Sequence, residues 1–172
     1  MIRGKAIEES LRFYLENRIK INFSLSDIQE YALDYYYLRT VNLSHQTVKK
    51  FSISIKSLVR AGLVGFNKII TANSNLLNDN LIKVNGINKY PDFSMTNVLI
   101  DNKLLPNCFI ELKIIENDKF INNTRYQKQA LTYAIYGNRP VILIYLIVPK
   151  KKTKSNIFKC YPQFLKIFPK SL

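Results

Sequence analysis

The sequence predicts an α/β fold: a mixed central sheet flanked by helices, with a helical module inserted into it or standing N-terminal to it. Three features carry that expectation. Residues 109 to 115 are largely apolar and lie between Pro106-Asn107 and Asn117-Asp118, as a strand bounded by turn residues does. Val141 to Val148 is an uninterrupted apolar run of strand length, which suits a strand covered on both sheet faces. The stretches before and between these two carry the helical spacing of apolar residues. In chain order this gives a helix, a helical module, a strand, a second strand ending near Ile100, the strand at 109, a helix and the buried strand.

Residues 3 to 18 read as the first helix. Ile7, Leu11, Tyr14 and Leu15 share one stripe, while Glu8, Glu9, Arg12 and Glu16 lie around the polar side; Phe13 falls off the stripe. Ser26-Asp27-Ile28-Gln29 has capping-box spacing and predicts a second helix to about Tyr36. Ser44 predicts the N-cap of a third, from His45 to Ala61, with Gly62 as its stop. Val48, Phe51, Ile55, Leu58 and Val59 give that helix an apolar face, and Lys49, Lys50, Lys56 and Arg60 lie elsewhere on it.

Residues 71 to 80 are mostly polar and predict a loop. Leu81 to Val84 predicts a short strand, either the back of a wing or the opening strand of the sheet. Asn122 or Asn123 is expected to cap a helix to about Tyr136, which Gly137 ends and Pro140 keeps from continuing. The run Pro149 to Lys154 is a basic loop, either simply solvated or holding a phosphate backbone. Ile157 to Tyr161 is a further expected strand, and Phe164 to Phe168 an apolar tail on the sheet. The expected organisation is an N-terminal helix over 1–19, a helical module over 20–75 and a sheet-bearing core over 76–172.

Composition narrows the chemistry. No apolar run reaches 18 residues and the N-terminus lacks a signal-peptide core, so an intracellular protein with no membrane partner is expected. Two cysteines, Cys108 and Cys160, make neither a disulfide framework nor a zinc site, and the single His45 argues against histidine-based metal or nucleophile chemistry. Any catalysis therefore falls to carboxylates and lysine. A net charge of +14 is the footprint of a protein that binds a polyanion, and the tyrosine-rich aromatic content favours nucleic acid. Abundant Asn, Ile, Lys and Tyr also fit an AT-rich genome, which accounts for part of the lysine excess.

The candidate chemistry lies between residues 91 and 113. On a strand, Glu111 and Lys113 point to one face and Ile110, Leu112 and Ile114 to the other. An interior strand seldom carries such charges unless they are paired or bind an ion; on a solvated sheet face the same pattern is an ordinary charge pair. Asp92 follows Pro91 at the start of the preceding strand, and a turn at Asp101-Asn102 would make the two strands antiparallel neighbours and bring Asp92 towards Glu111. Asp101 is the rival acid, although its Asp-Asn context reads as a turn. Two carboxylates suit a hard divalent cation such as Mg²⁺ or Mn²⁺, with a lysine to stabilise developing negative charge.

Pro91-Asp92 together with Glu111-Leu112-Lys113 resembles the PD-(D/E)xK nuclease superfamily, over about residues 81 to 148. The resemblance implies a restriction-endonuclease-like core and metal-dependent hydrolysis of DNA. Asp92 and Glu111 would hold the metal, with the Leu112 carbonyl as a further ligand, and Lys113 would orient the attacking water or stabilise the transition state. Arg3-Gly4-Lys5-Ala6-Ile7-Glu8 is similar to the start of archaeal Holliday-junction resolvases, which implies Glu8 as a further metal ligand; read from the residues alone, Glu8 is a solvated helix residue. Gln129 and Tyr133, four apart on the helix after the Glu-x-Lys strand, resemble the Gln-x-x-x-Tyr of RecB-type and CRISPR-associated exonucleases, and would position substrate. Residues 20 to 70 resemble winged helix-turn-helix modules, and a plain helical packing unit fits them as well. The alternative function is a non-catalytic DNA-binding protein in which that module reads DNA and the sheet is a homodimerisation platform.

Overall fold

The strand expected at 109 to 115 is the end of a longer one. In the computed structural model, which describes residues 2–116, 124–148 and 161–168, the chain order is α1 (Ile2–Asn17), α2 (Leu25–Arg39), α3 (His45–Ser52), α4 (Ile55–Ile69), β1 (Asn75–Leu77), β2 (Ile82–Val84), β3 (Ile87–Lys89), β4 (Phe93–Ile100), β5 (Lys103–Ile115), α5 (Thr124–Gly137), β6 (Val141–Ile147) and β7 (Tyr161–Ile167). The caps expected at Asn122 or Asn123, the basic run 149–154 and most of the strand expected at 157–161 lie outside the described residues.

β4 and β5 form a hairpin through Asp101-Asn102, with Ile100 opposite Lys103. Both turn residues have positive φ, 48° and 60°, as two-residue hairpin turns require, and Asp and Asn tolerate it best after glycine. Pro106 falls inside β5, not before it. Asn97 faces the same stretch at φ 52°, between the pairs Thr96–Asn107 and Val98–Leu105, so the ladder is irregular where proline offers no N–H.

The main sheet runs β1-β4-β5-β6-β7. β5 and β6 are parallel, and the other neighbouring pairs are antiparallel, so the sheet is mixed. β4 starts at Phe93, opposite Ile110, whereas β5 continues alongside β6 to Ile115. Beyond Ile110, β5 thus has a strand partner on one side only among the described residues. On its other edge, over residues 111–115, no described strand pairs with it, and Asp92 stands where that edge begins.

Helices cover both faces of the sheet. Ile110, Ile142, Ile144 and Leu146 share a core with Ile7 and Leu11 of α1, Ile28 and Tyr36 of α2 and Leu58 and Phe66 of α4. Phe109, Leu143, Tyr145 and Ile147 pack on the opposite face with Ala130, Tyr133 and Ala134 of α5 and Ile82 of β2. The alternation of strand side chains puts Glu111 and Lys113 on the α5 face. β6 is buried throughout, as its unbroken apolar run predicts. Among the described residues no helix is long and apolar enough to cross a membrane.

Several local expectations shift. The capping box of α2 is Ser24 with Asp27: the Asp27 N–H donates to Ser24 Oγ (3.2 Å) and the Ser24 N–H donates to Asp27 Oδ2 (2.8 Å). Ser24 meets the same three-residue spacing to an acid, two residues before Ser26. The single helix expected over 45–61 is two. At the break, the Ser54 hydroxyl donates to the Phe51 carbonyl (3.2 Å) and accepts from Arg3 Nη1 (3.1 Å), a side-chain competition with the helical backbone. Ser44 caps α3 as expected. Gly62 does not stop α4, because Leu63, Phe66 and Ile69 prolong its buried face. There, glycine permits close packing on α1: a Cβ would lie 2.7 Å from Leu11 Cδ1. Off-stripe Phe13 stacks on Tyr31, centroids 4.5 Å apart, and ties α1 to α2.

Of the helix expected over 45–61, which a winged-helix reading would place in the major groove, the α3 part has no buried residue and the α4 part packs into the core on the sheet's first face. The β2–β3 hairpin, the candidate wing, packs against α5.

Gly137 is the last residue of α5, and the left-handed position after it is Asn138, φ 49°. Glycine is required at 137 for another reason: a Cβ would lie 2.4 Å from the edge of the Phe109 ring and 3.3 Å from Ile82 Cδ1. A ring on a central strand yields little. Gly137→Ala is therefore expected to destabilise by roughly 1–3 kcal/mol, read as a lower denaturation midpoint with an unchanged slope.

Candidate active site

The end of β5 and the start of β4 bring Asp92, Glu111 and Lys113 together. The Leu112 N–H donates to Asp92 Oδ2 (2.8 Å), and the Asp92 N–H donates to Glu111 Oε1 (3.2 Å). Each acid is thus fixed by the other's strand. Lys113 Nζ donates to Glu111 Oε2 (2.5 Å) and lies 5.7 Å from the Tyr126 ring centroid. Glu111 is 1% exposed. A residue in a strand sends its N–H and carbonyl to the same edge, so the Leu112 carbonyl also faces the Asp92 side.

Burial and crowding of like charge set the protonation behaviour. Burial raises the Asp92 carboxyl to about 6, Glu8 adds to the shift, and the Leu112 N–H and Lys113 oppose it. Burial, and then the Asp92 charge, raises Glu111 to about 7 against the pull of Lys113. For Lys113, burial acts downward, but Glu111 and Asp92 outweigh it and hold the ammonium above its usual range. With both carboxylates ionised beside one ammonium, this poorly solvated place would carry an excess negative charge, so a proton or a cation is favoured there.

Glu8 lines the same cavity as Asp92 and Lys113, at the end of an α1 face that also carries Lys5. Its Oε1 is 2.8 Å from Lys5 Nζ and 3.6 Å from Arg12 Nη2. Arg12 also donates to the Asp92 backbone carbonyl and stacks on Phe93, 5.0 Å from its centroid. It braces the acid-bearing turn against α1. Its i, i+4 spacing from Glu8 is visible in the sequence, but nothing there points it at residue 92.

On the α5 side, Gln129 Nε2 donates to the Tyr133 hydroxyl (2.9 Å). Burial raises the Tyr133 phenol, and the Glu111 and Asp92 charges add to that shift against Lys113. Gln129 and Tyr133 line a groove with Lys89, Arg125 and Thr132. Tyr126 was not anticipated, although 126, 129 and 133 share a helix face at i, i+3 and i+7 spacing. Tyr145 is the register neighbour of Lys113 on β6 and fully buried; its hydroxyl has no hydrogen-bond partner among the described residues.

Asp101 is elsewhere. It sits exposed in the hairpin turn, paired with Lys166, separated from Glu111 by most of β5, roughly 30 Å of extended chain. Asp101→Asn is expected to leave divalent-metal binding within about twofold of wild type by calorimetric titration. Loss of binding would move the first acid to the turn.

The donor chemistry fits Mg²⁺ or Mn²⁺. Both ions prefer hard carboxylate oxygens, and the buried acids, when ionised, carry the excess negative charge a cation would neutralise. Among the described residues, no group of three or more acidic, histidine or cysteine side chains is gathered closely enough to hold an ion. One or two carboxylates suffice where waters and substrate phosphates complete the shell.

No protein-family model matches this chain, and no curated protein matches it significantly in sequence. Among solved structures, the crystal structure of SSO0001 is similar over 98% of this chain and 80% of that one, with 17% identity and a TM-score of 0.36. At that score the two chains need not share a fold.

Proposed function

We propose that this protein is a Mg²⁺- or Mn²⁺-dependent deoxyribonuclease with a restriction-endonuclease-like core. The observation that carries the reading is the convergence of Asp92 and Glu111 at the edge of β5, with the Lys113 ammonium alongside. Asp92 and Glu111 would hold the ion, with the Leu112 carbonyl on the same side and Glu8 lining the adjoining cavity. When bound, such an ion would polarise the scissile phosphate and make an attacking water more acidic. The ammonium of Lys113 stabilises charge that develops on the phosphate oxygens, at a cost in solvation already met by folding. Tyr126 and Glu111 hold that ammonium in place. Gln129 and Tyr133 orient the strand on the α5 side, where Lys89 and Arg125 meet its phosphates.

The net charge of +14 supplies the long-range attraction. That charge alone also suits a DNA-binding protein without catalysis, but such a protein has no need of two buried acids beside a lysine. Incubation with single-stranded, duplex and branched DNA in Mg²⁺, in Mn²⁺ and in chelator separates the two. Product that depends on the metal is the expected result. Binding of every form with no product under any condition would select the non-catalytic reading.

A further inference from the structure

A second cavity, of about 420 Å³, opens between α1, α2 and α3. Its walls include Arg3, Tyr36, Thr47 and Phe51, and it shares Gly4 and Ile114 with the cavity that holds Glu8, Asp92 and Lys113. The two are therefore adjoining compartments of one cleft, divided at residue 4, where there is no side chain. None of the acids lines this second compartment.

We propose that this compartment receives an unpaired nucleobase of the strand whose phosphate lies at Asp92 and Glu111. The inference rests on the nuclease reading for the position of that phosphate. Size, lining and charge agree on the occupant. The volume falls in the range of about 300–1,000 Å³ typical of sites for small flat ligands. Aromatic rings and guanidinium planes are the surfaces on which unpaired bases stack, and both are present in the cavity wall: Arg3 lies 5.2 Å from the Phe51 centroid. Lys50 lies 5.5 Å from the same ring, so two cations, Arg3 and Lys50, stand beside the ring on which the base would stack. An apolar side chain from a protein partner would fill the volume without using these charges.

A base enclosed between three helices cannot stay stacked in a duplex. The substrate class that follows is single-stranded DNA, or a duplex end frayed enough to release a base. Double-stranded DNA without an end or a branch is excluded from productive binding.

The test is equilibrium binding by fluorescence anisotropy, which needs no cleavage, run in Ca²⁺, an ion that can seat the phosphate at the acids, and again in chelator. The probes are a short oligothymidylate and an abasic strand with the same number of phosphates. Thr47→Phe fills the compartment from α3 and keeps the α3 cap, because Ser44 Oγ accepts from the backbone N–H of residue 47. Phe51→Leu keeps the apolar wall and removes the stacking ring. Wild type is expected to bind oligothymidylate roughly tenfold more tightly than the abasic strand. Both variants, with melting temperatures near wild type, are expected to bind the two strands alike, at the abasic level. Equal wild-type affinity for the two strands would overturn the proposal, as would full discrimination retained in both variants. The nuclease reading is judged separately, by metal-dependent product from wild type, so discrimination without product would sink that reading and leave a base-binding cleft.

Discussion

Glu111→Ala is expected to lower cleavage by a factor of about 10³ or more while leaving DNA binding in chelator within a few-fold of wild type. On the proposed reading Glu111 is an ion-holding acid, and it is also the anchor of Lys113, from whose Nζ it accepts at 2.5 Å. Removing it takes away one oxygen donor and frees the ammonium from its position. Losses of about 10²–10³ are typical for a single preorganised electrostatic group, and here two are disturbed together. Lys113→Ala removes only the ammonium and is expected to cost about 10²-fold in kcat. Phosphate binding is spread over many cations, so neither variant should change the salt dependence of affinity by more than about one unit of slope. Circular dichroism and a cooperative thermal transition check that each variant is folded. Cleavage at the wild-type rate by either would remove the assignment.

Glu111→Gln is expected to gain stability relative to wild type in metal-free buffer as pH rises from 5 to 8, by an amount of the order of 3 kcal/mol at most. The sign follows from the direction of the shift. Folding raises this carboxyl from its ordinary 4.5 to about 7, so the folded state favours the protonated form. Stability from that preference is present in full below the unfolded value and is lost as pH rises through the folded one. The charged groups facing Glu111 are Asp92 and Lys113, with the Tyr133 phenol on the α5 side. Glutamine keeps one acceptor oxygen, enough for the Asp92 N–H or for Lys113 but not for both, which is a cost that does not change with pH; because it cannot charge, it escapes the pH-dependent loss above neutrality. The difference between the two proteins in urea midpoint, followed from pH 5 to pH 8, should grow with pH. A difference that is flat, or that shrinks as pH rises, would show that Glu111 is ionised in the fold without penalty. Saturating Mn²⁺ should shift the difference towards wild type, because wild type then gains binding energy that the variant lacks.

Much of the site follows from local rules that a sequence displays. Alternation places Glu111 and Lys113 on one face, and Asp101-Asn102 turns the chain back so that residue 92 meets residue 111. What the sequence hides is three-dimensional. Pro106 suggests the start of a strand, but an irregularity at Asn97, on the facing strand, lets β5 run through it. Gly62 looks like a helix stop, yet α4 runs through it and the glycine answers to a contact with Leu11; Gly137 does end α5, but its contact with Phe109 is one that the sequence does not show. The polar loop expected over 71–80 contains β1, whose three residues find their partner twenty positions away on β4. Arg12 and Tyr126 sit at helical spacings that a sequence shows, but their direction is set by how α1 and α5 pack on the sheet. The expected helical module over 20–75 shares its core with the sheet, because the apolar faces of α2 and α4 continue the one begun by α1.

The most direct measurement is Mn²⁺ binding by electron paramagnetic resonance, with wild type, Asp92→Asn and Glu111→Gln compared at pH 7.5. Two acids from adjacent strands that share one ion predict a single tight site in wild type and a loss of at least about tenfold in affinity in each variant. Unchanged Mn²⁺ affinity in both variants would mean that the buried carboxylates hold each other and Lys113, and no ion.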